Sequence, residues 1–156
     1  MKCLGIIVFL TIVSNTSLAD QYLCIAEEST GFFFNEKSNK WETSKFQTDH
    51  LKYVVSQVGP EEVYSFVPRK WSYKVVKHGE NWPSFLCEED FNKPGYLSCP
   101  NSEASNNQGD FHFNNKNLRF LIANPFGYFN VLPSINKITD ETSATPFMTI
   151  GKCSRF

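Results

Sequence analysis

Beyond residue 20 the apolar positions come in short bursts, and many recur at every second residue. Gly, Pro, Asn or Ser stops most of these bursts. A repeat of two is the signature of a strand with one buried face. Residues 70–77 show it most plainly, with Trp71, Tyr73 and Val75 alternating against Lys70, Ser72 and Lys74. Further strands are predicted at 22–26, 31–35, 40–48, 53–58, 82–87, 96–99 and 147–153. Gly59-Pro60 ends the strand at 53–58, and His78-Gly79 turns the chain back toward residue 82. Two hairpins are predicted. One crosses Glu36-Lys37-Ser38-Asn39, with Trp41 and Phe46 on its return strand; the other joins Phe111 and Phe113 to Leu118, Phe120 and Ile122 across residues 114–117. Both open on one string, Phe32-x-Phe34-Asn35-x-Lys37 and Phe111-x-Phe113-Asn114-x-Lys116. Two hairpins solving one turn problem would produce that echo.

Residues 100–109 and 133–146 read as polar connections. No segment keeps a helical period for three turns, and the best short helical candidates are 61–67 and 88–92. The expected fold is therefore all-β and antiparallel, a closed or nearly closed barrel, with a β-sandwich as the alternative.

The first nineteen residues follow a different logic. Lys2 precedes an apolar run from Leu4 to Val13, and Ser17-Leu18-Ala19 supplies a small-x-small cleavage pattern. About ten apolar residues fall short of the roughly twenty that a spanning helix needs. The expectation is a signal peptide at 1–19, one β-rich domain at 20–156, and no stable membrane anchor after cleavage. Periplasmic or secreted localisation follows. Cleavage removes Cys3 and leaves Cys24, Cys87, Cys99 and Cys153. An even count in an exported chain reads as two disulfides, for which three connectivities exist. The favoured pairing is Cys87–Cys99, across the turn-rich Asn92-Lys93-Pro94-Gly95, with Cys24–Cys153 tying the first strand to the last. No Cys-x-x-Cys or His pair suggests zinc instead.

Composition narrows the function classes. The cleaved chain carries 14 basic and 16 acidic side chains, so no nucleic-acid partner is expected. The full sequence has fifteen Phe, and all but Phe9 remain after cleavage to supply apolar surface for a firm core. His50, His78 and His112 stand in no metal-binding pattern, and neither a Gly-x-Ser-x-Gly elbow nor a phosphate loop is present. His112, between Phe111 and Phe113, should point to solvent. Acid pairs such as Glu27-Glu28 would face opposite sides of a strand. No catalytic residue, cofactor or metal is therefore assigned, and the chain is expected not to be an enzyme. Two features suit binding instead. Lys70 and Lys74 share one face of the strand whose other face is aromatic. Asn124-Pro125-Phe126-Gly127-Tyr128-Phe129 reads as a turn that presents Phe126 and Tyr128.

A resemblance adds to this reading. Tyr22-Leu23-Cys24-Ile25-Ala26, Thr30-Gly31-Phe32-x-Phe34, Trp41 with Phe46, Phe111-x-Phe113-Asn114, Arg119-Phe120, Gly127-Tyr128 and Ile150-Gly151-Lys152-Cys153-Ser154 look like a group of small exported proteins of bacteria and their phages. That likeness implies export and a single domain, and no activity. More loosely, Tyr22-x-Cys24 with Cys153 resembles the periplasmic inhibitors of c-type lysozyme, which are small β-barrels. Their Ser-Gly-x-Lys/Arg-Tyr inhibitory loop has no counterpart here. The expected function is a binding or inhibitor module that uses loops and the basic strand face on another extracytoplasmic protein. The alternatives are a lipocalin-like carrier of a small apolar ligand and an enzyme of unrecognised type.

Overall fold

A computed structural model describes residues 20–64, 70–100, 109–129 and 139–156. The signal-peptide expectation for 1–19 lies outside these residues. So do 101–108 and 133–138 of the expected loops, 65–67 of one helical candidate, and Arg69 at the head of the basic run.

Nine strands form one antiparallel sheet: β1 (Tyr22–Asn35), β2 (Lys40–Lys45), β3 (Lys52–Gln57), β4 (Tyr73–Lys77), β5 (Pro83–Cys87), β6 (Tyr96–Cys99), β7 (Asp110–Asn114), β8 (Arg119–Asn124) and β9 (Phe147–Arg155). The order is β5-β4-β3-β1-β9-β8-β7-β6, with β2 pairing β1 alone. Eight strands thus curl into a nearly closed barrel whose free edges are β5 and β6. Those edges are joined by the Cys87–Cys99 disulfide, with Cα atoms 4.2 Å apart. The barrel reading holds and the sandwich alternative falls away.

The seam between the first and last strands lies in the middle of this order. Cys24 and Cys153 stand directly opposite each other on β1 and β9, 3.9 Å apart at Cα, and are bonded. Both expected disulfides are therefore present.

The alternation read from the sequence becomes the inside and outside of the barrel. Tyr22 and Cys24 from β1, Tyr53 and Val55 from β3, Tyr73 and Val75 from β4, and Phe111 and Phe113 from β7 all point inward and are buried. Each such side chain contributes roughly 1.5–3 kcal/mol by leaving water. Aromatic rings fill two levels. Tyr53, Phe85, Phe111 and Phe120 form one, with centroids 5.5–6.3 Å apart. Phe91, from the β5–β6 connection, plugs one end by packing 5.1 Å from Tyr73, 5.7 Å from Phe113 and 6.2 Å from Tyr22. Small-barrel interiors are normally filled this way.

The two echoing hairpins share one turn chemistry. Asn35 Oδ1 accepts from the backbone N–H groups of Lys37 and Ser38, at 3.0 and 3.4 Å. Asn114 Oδ1 does the same for Lys116 and Asn117, at 2.8 and 3.3 Å. The last residue of each connection, Asn39 and Leu118, takes a left-handed φ of 52° and 57°. The side-chain cap and the left-handed residue together reverse the chain within four positions.

Three expectations are corrected in detail. The predicted strands at 22–26 and 31–35 are one continuous β1, because a bulge at Glu27 absorbs the change of phase. Glu27 and Glu28 consequently both face outward, and β1 exchanges its neighbour β3 for β2 beyond the bulge. The strand expected at 40–48 stops at Lys45, and Phe46 keeps one last in-register bond, from its N–H to the Ser29 carbonyl at 2.9 Å, before the chain leaves the sheet. Residues 61–64 and 88–92 form no helix; at 88–92 the chain makes the plug instead.

Gly151 faces Ala26 beside the bulge, and a Cβ there would collide with the Ile25 carbonyl oxygen and the Phe120 ring. Gly151→Val should lower the unfolding free energy by about 2–3 kcal/mol. Replacing Cys87 and Cys99 by Ala should cost about 3 kcal/mol, and the Cys24/Cys153 pair about 5 kcal/mol, following the loop each bond closes. Equilibrium urea unfolding measures all three, and an equal loss for both cysteine pairs would contradict the assignment of the longer loop to the seam.

Candidate functional site

Opposite the end that Phe91 plugs, the barrel opens into a cavity of about 800 Å³. Its floor is set by Tyr53 and Phe85 of the aromatic layer, together with Ile122. Thr149 and Phe147 of β9 and Asn124 of β8 carry the wall upward. The bulge in β1 brings Ser29 into the same wall, since the phase change turns Ser29 inward after two outward glutamates. The connection from β2 to β3 forms a lip of Phe46, Gln47, His50 and Leu51, pinned where Ala26 N–H donates to the Leu51 carbonyl at 3.0 Å. Ala144 and Thr145 complete the rim on the far side, before β9 begins.

The inner wall is apolar with a few neutral polar groups. Ser29 and Thr149 form a cross-strand pair, 4 % and 1 % exposed, and their hydroxyls bond each other at 2.8 Å. That bond satisfies one of the two hydroxyl protons and lowers the cost of setting the pair against an apolar ligand. Asn124 is buried in phase with Phe120 and Ile122 on β8. Burial in the aromatic layer, and next the negative charge of Glu80, push the Tyr53 phenol up to about 12. It is therefore a neutral hydroxyl at any physiological pH.

Charge is confined to the rim. Lys77 ends β4 and reaches Glu80 at 3.7 Å, while Lys45 ends β2 and reaches Glu28 at 3.5 Å. His50 is exposed on the lip. No carboxylate is among the described residues lining the cavity.

The residues singled out from sequence lie elsewhere. Lys74 projects outward from β4 as expected, but it is already engaged. Its ammonium donates to both Glu62 carboxylate oxygens, at 2.7 and 2.6 Å, and lies 5.7 Å above the Tyr64 ring. The hydrogen bond from Lys74, and next that from Tyr64, hold the Glu62 carboxyl below its ordinary range. Lys70 is exposed outside the start of β4. Phe126 and Tyr128 sit on a 3-10 turn at Pro125–Phe129 and are half exposed, at 53 % and 52 %. Tyr128 packs on Trp41 at 5.1 Å, and with Phe32, Pro125 and Pro146 it lines a second, smaller cleft of about 350 Å³. The structure thus places Lys70 and Lys74 by β4 and Tyr128 by β2, with Phe126 on the same turn as Tyr128, and none of the four lines the cavity. His112 bonds Ser98 through Nδ1 at 3.2 Å and does not reach the cavity.

Sequence reasoning did not single out Ser29, Tyr53, Asn124 or Thr149 as site residues. One signal was available. Asn124 and Thr149 occupy the inward phase of strands whose other inward residues are apolar or small, where a polar residue needs a reason. No phase argument could have found Ser29, because it turns inward only through the bulge.

Among the described residues no group of three His, Cys, Asp or Glu side chains could hold a metal ion, and no helix is long and apolar enough to cross a membrane. Comparison of the chain with protein-family models, with curated proteins and with solved structures finds no match.

The raised Tyr53 pKa has a consequence for stability. Between the ordinary value of 10 and the folded value of about 12, the unfolded chain has released this proton and the folded chain retains it. Stability from this group is complete below pH 10 and should be lost as pH rises toward 12. Tyr53→Phe should flatten part of that alkaline decline, as followed by urea unfolding at stepped pH. An unchanged slope would place the phenol in water.

Proposed function

We propose that this protein binds a small, largely apolar ligand in the open end of its barrel, as a carrier or scavenger outside the cytoplasm, and is not an enzyme. The cavity carries this reading. Its volume of about 800 Å³ falls in the range of roughly 300–1,000 Å³ that holds drug-sized molecules, with apolar walls and a few placed polar groups as such sites have. Phe46, Leu51, Phe85, Ile122 and Phe147 supply the surface that removes a ligand from water. Each Å² of apolar ligand surface buried there contributes roughly 25 cal/mol before the costs of association. The disulfides suit this role outside the cytoplasm, because they hold the cage shut where reducing agents are scarce.

The interaction-module reading keeps one specific support, the exposed cleft of Phe32, Trp41, Pro125, Tyr128 and Pro146 with Phe126 beside it. Aromatic residues presented together at a surface are characteristic of protein-binding hot spots. The basic strand face contributes less, since Lys74 is held by Glu62. A c-type lysozyme assay tests the inhibitor form of this reading, and an unaltered lysis rate at stoichiometric excess eliminates it.

For the cavity, the oxidised protein should be titrated with N-phenylnaphthylamine, an uncharged reporter that brightens on leaving water. Saturable enhancement with one site per chain is expected. Ala144→Trp, which fills the rim without touching a strand, should weaken it at least tenfold. Enhancement that is absent, or indifferent to Ala144→Trp, refutes cavity binding.

A further inference from the structure

We infer that the ligand of this cavity is an organic anion: an apolar body with a single carboxylate-like head, the body seated on the aromatic floor and the head at the rim beside Lys77, His50 and Lys45. This rests on the cavity-binding reading and adds the ligand's charge and orientation. Among the described residues, the charged groups that line the cavity are of one sign, and the carboxylates paired with them lie outside the lining. Among the described residues, each ionisable side chain lining the cavity, apart from the neutral phenol of Tyr53, is a lysine or a histidine, and none is acidic. The carboxylates that pair with the two lysines, Glu28 and Glu80, lie outside the lining with side chains 64 % and 47 % exposed. Each lysine therefore spans from an outer carboxylate to the rim of an acid-free cavity. An ammonium has three donors, so a ligand carboxylate can join the existing partner without displacing it.

Lys77 is the principal contact. Its side chain is only 29 % exposed, against 81 % for Lys45, so its attraction is less screened by water. It also stands directly across the ladder from Tyr53, on the floor of the cavity. A cationic ligand would meet like charge at the rim and no carboxylate inside. A ligand charged at its inner end would have to shed its hydration against Phe85 and Ile122, with only neutral partners to replace it. One orientation remains, with the head outward and the body inward.

The test displaces bound N-phenylnaphthylamine with three probes of equal chain length: octanoate, 1-octanol and octyltrimethylammonium. Octanoate should compete at about one tenth the concentration of octanol, as a charge-assisted hydrogen bond provides. Octyltrimethylammonium should compete worst. Lys77→Gln should remove most of the octanoate-over-octanol preference, and 0.5 M salt should shrink it, at roughly 4–5 Å of screening length. Equal competition by octanoate and octanol, or preference for the cation, overturns the anion assignment while leaving cavity binding intact. A preference that survives Lys77→Gln overturns the placement of the head. Failure of the reporter itself to bind is a different result, and it removes the cavity reading on which this inference stands.

Discussion

The pairing of the first strand with the last is the constraint on which the rest of this structure depends. β1 and β9 are separated by almost the whole chain, yet they are adjacent in the middle of the sheet and bonded through Cys24–Cys153. Two three-stranded arms extend from this seam, β3-β4-β5 on one side and β8-β7-β6 on the other. Among the described residues, the arms meet again through Cys87–Cys99 and the side chains between them. Without the seam there are two small sheets, each with an apolar face and nothing to cover it. Such marginal sheets are not independently stable. The seam is also a contact of long sequence separation, which topology makes entropically costly to form and slow to reach. A covalent tie at that point acts where the chain needs it most.

The two ends of the barrel differ for identifiable reasons. At one end the β5–β6 connection is long enough to fold Phe91 back over Tyr22, Tyr73 and Phe113, and the interior is filled. At the other end β1 carries the Glu27 bulge and exchanges β3 for β2. The sheet flares there, and Phe46 to Leu51 cross as a lip instead of a plug. The polar wall residues belong to the same device. Ser29 faces Thr149 because the bulge turned it inward, and the pair's mutual hydrogen bond keeps two hydroxyls compatible with an apolar occupant.

The rim and the outer strand faces handle charge differently. On β4, Lys74 is enclosed by Glu62 and Tyr64, so its charge is spent within the molecule. Lys77, three residues on, stands at the mouth with a more distant carboxylate. Alternation sets them on opposite faces of the strand, Lys74 on the outward face and Lys77 in phase with the inward Tyr73 and Val75. The engagement of Lys74 comes from residues 59–64, where Gly59 to Glu62 makes a turn that carries the Glu62 carboxylate over Lys74.

The sequence by itself determined what depends on near neighbours. The period of two specified strand and buried face for Tyr73 and Val75, since successive side chains on a strand must diverge, whereas Trp71, expected in the same phase, lies before β4 and is only half-buried. The Asn35 and Asn114 strings specified their hairpins, because the cap and the left-handed residue lie within the same few positions. Four cysteines with one short turn-rich spacing pointed to both disulfides. Only the tertiary structure decided the site. Ser29, Tyr53, Lys77, Asn124 and Thr149 come from five strands or their ends, and nothing local says that they converge. Which side chains share a level inside a barrel depends on strand stagger and closure, quantities set by the whole sheet. A single bulge changed the inward set of β1, and no reading of alternation could have placed Ser29 at the wall of a cavity before that bulge was seen.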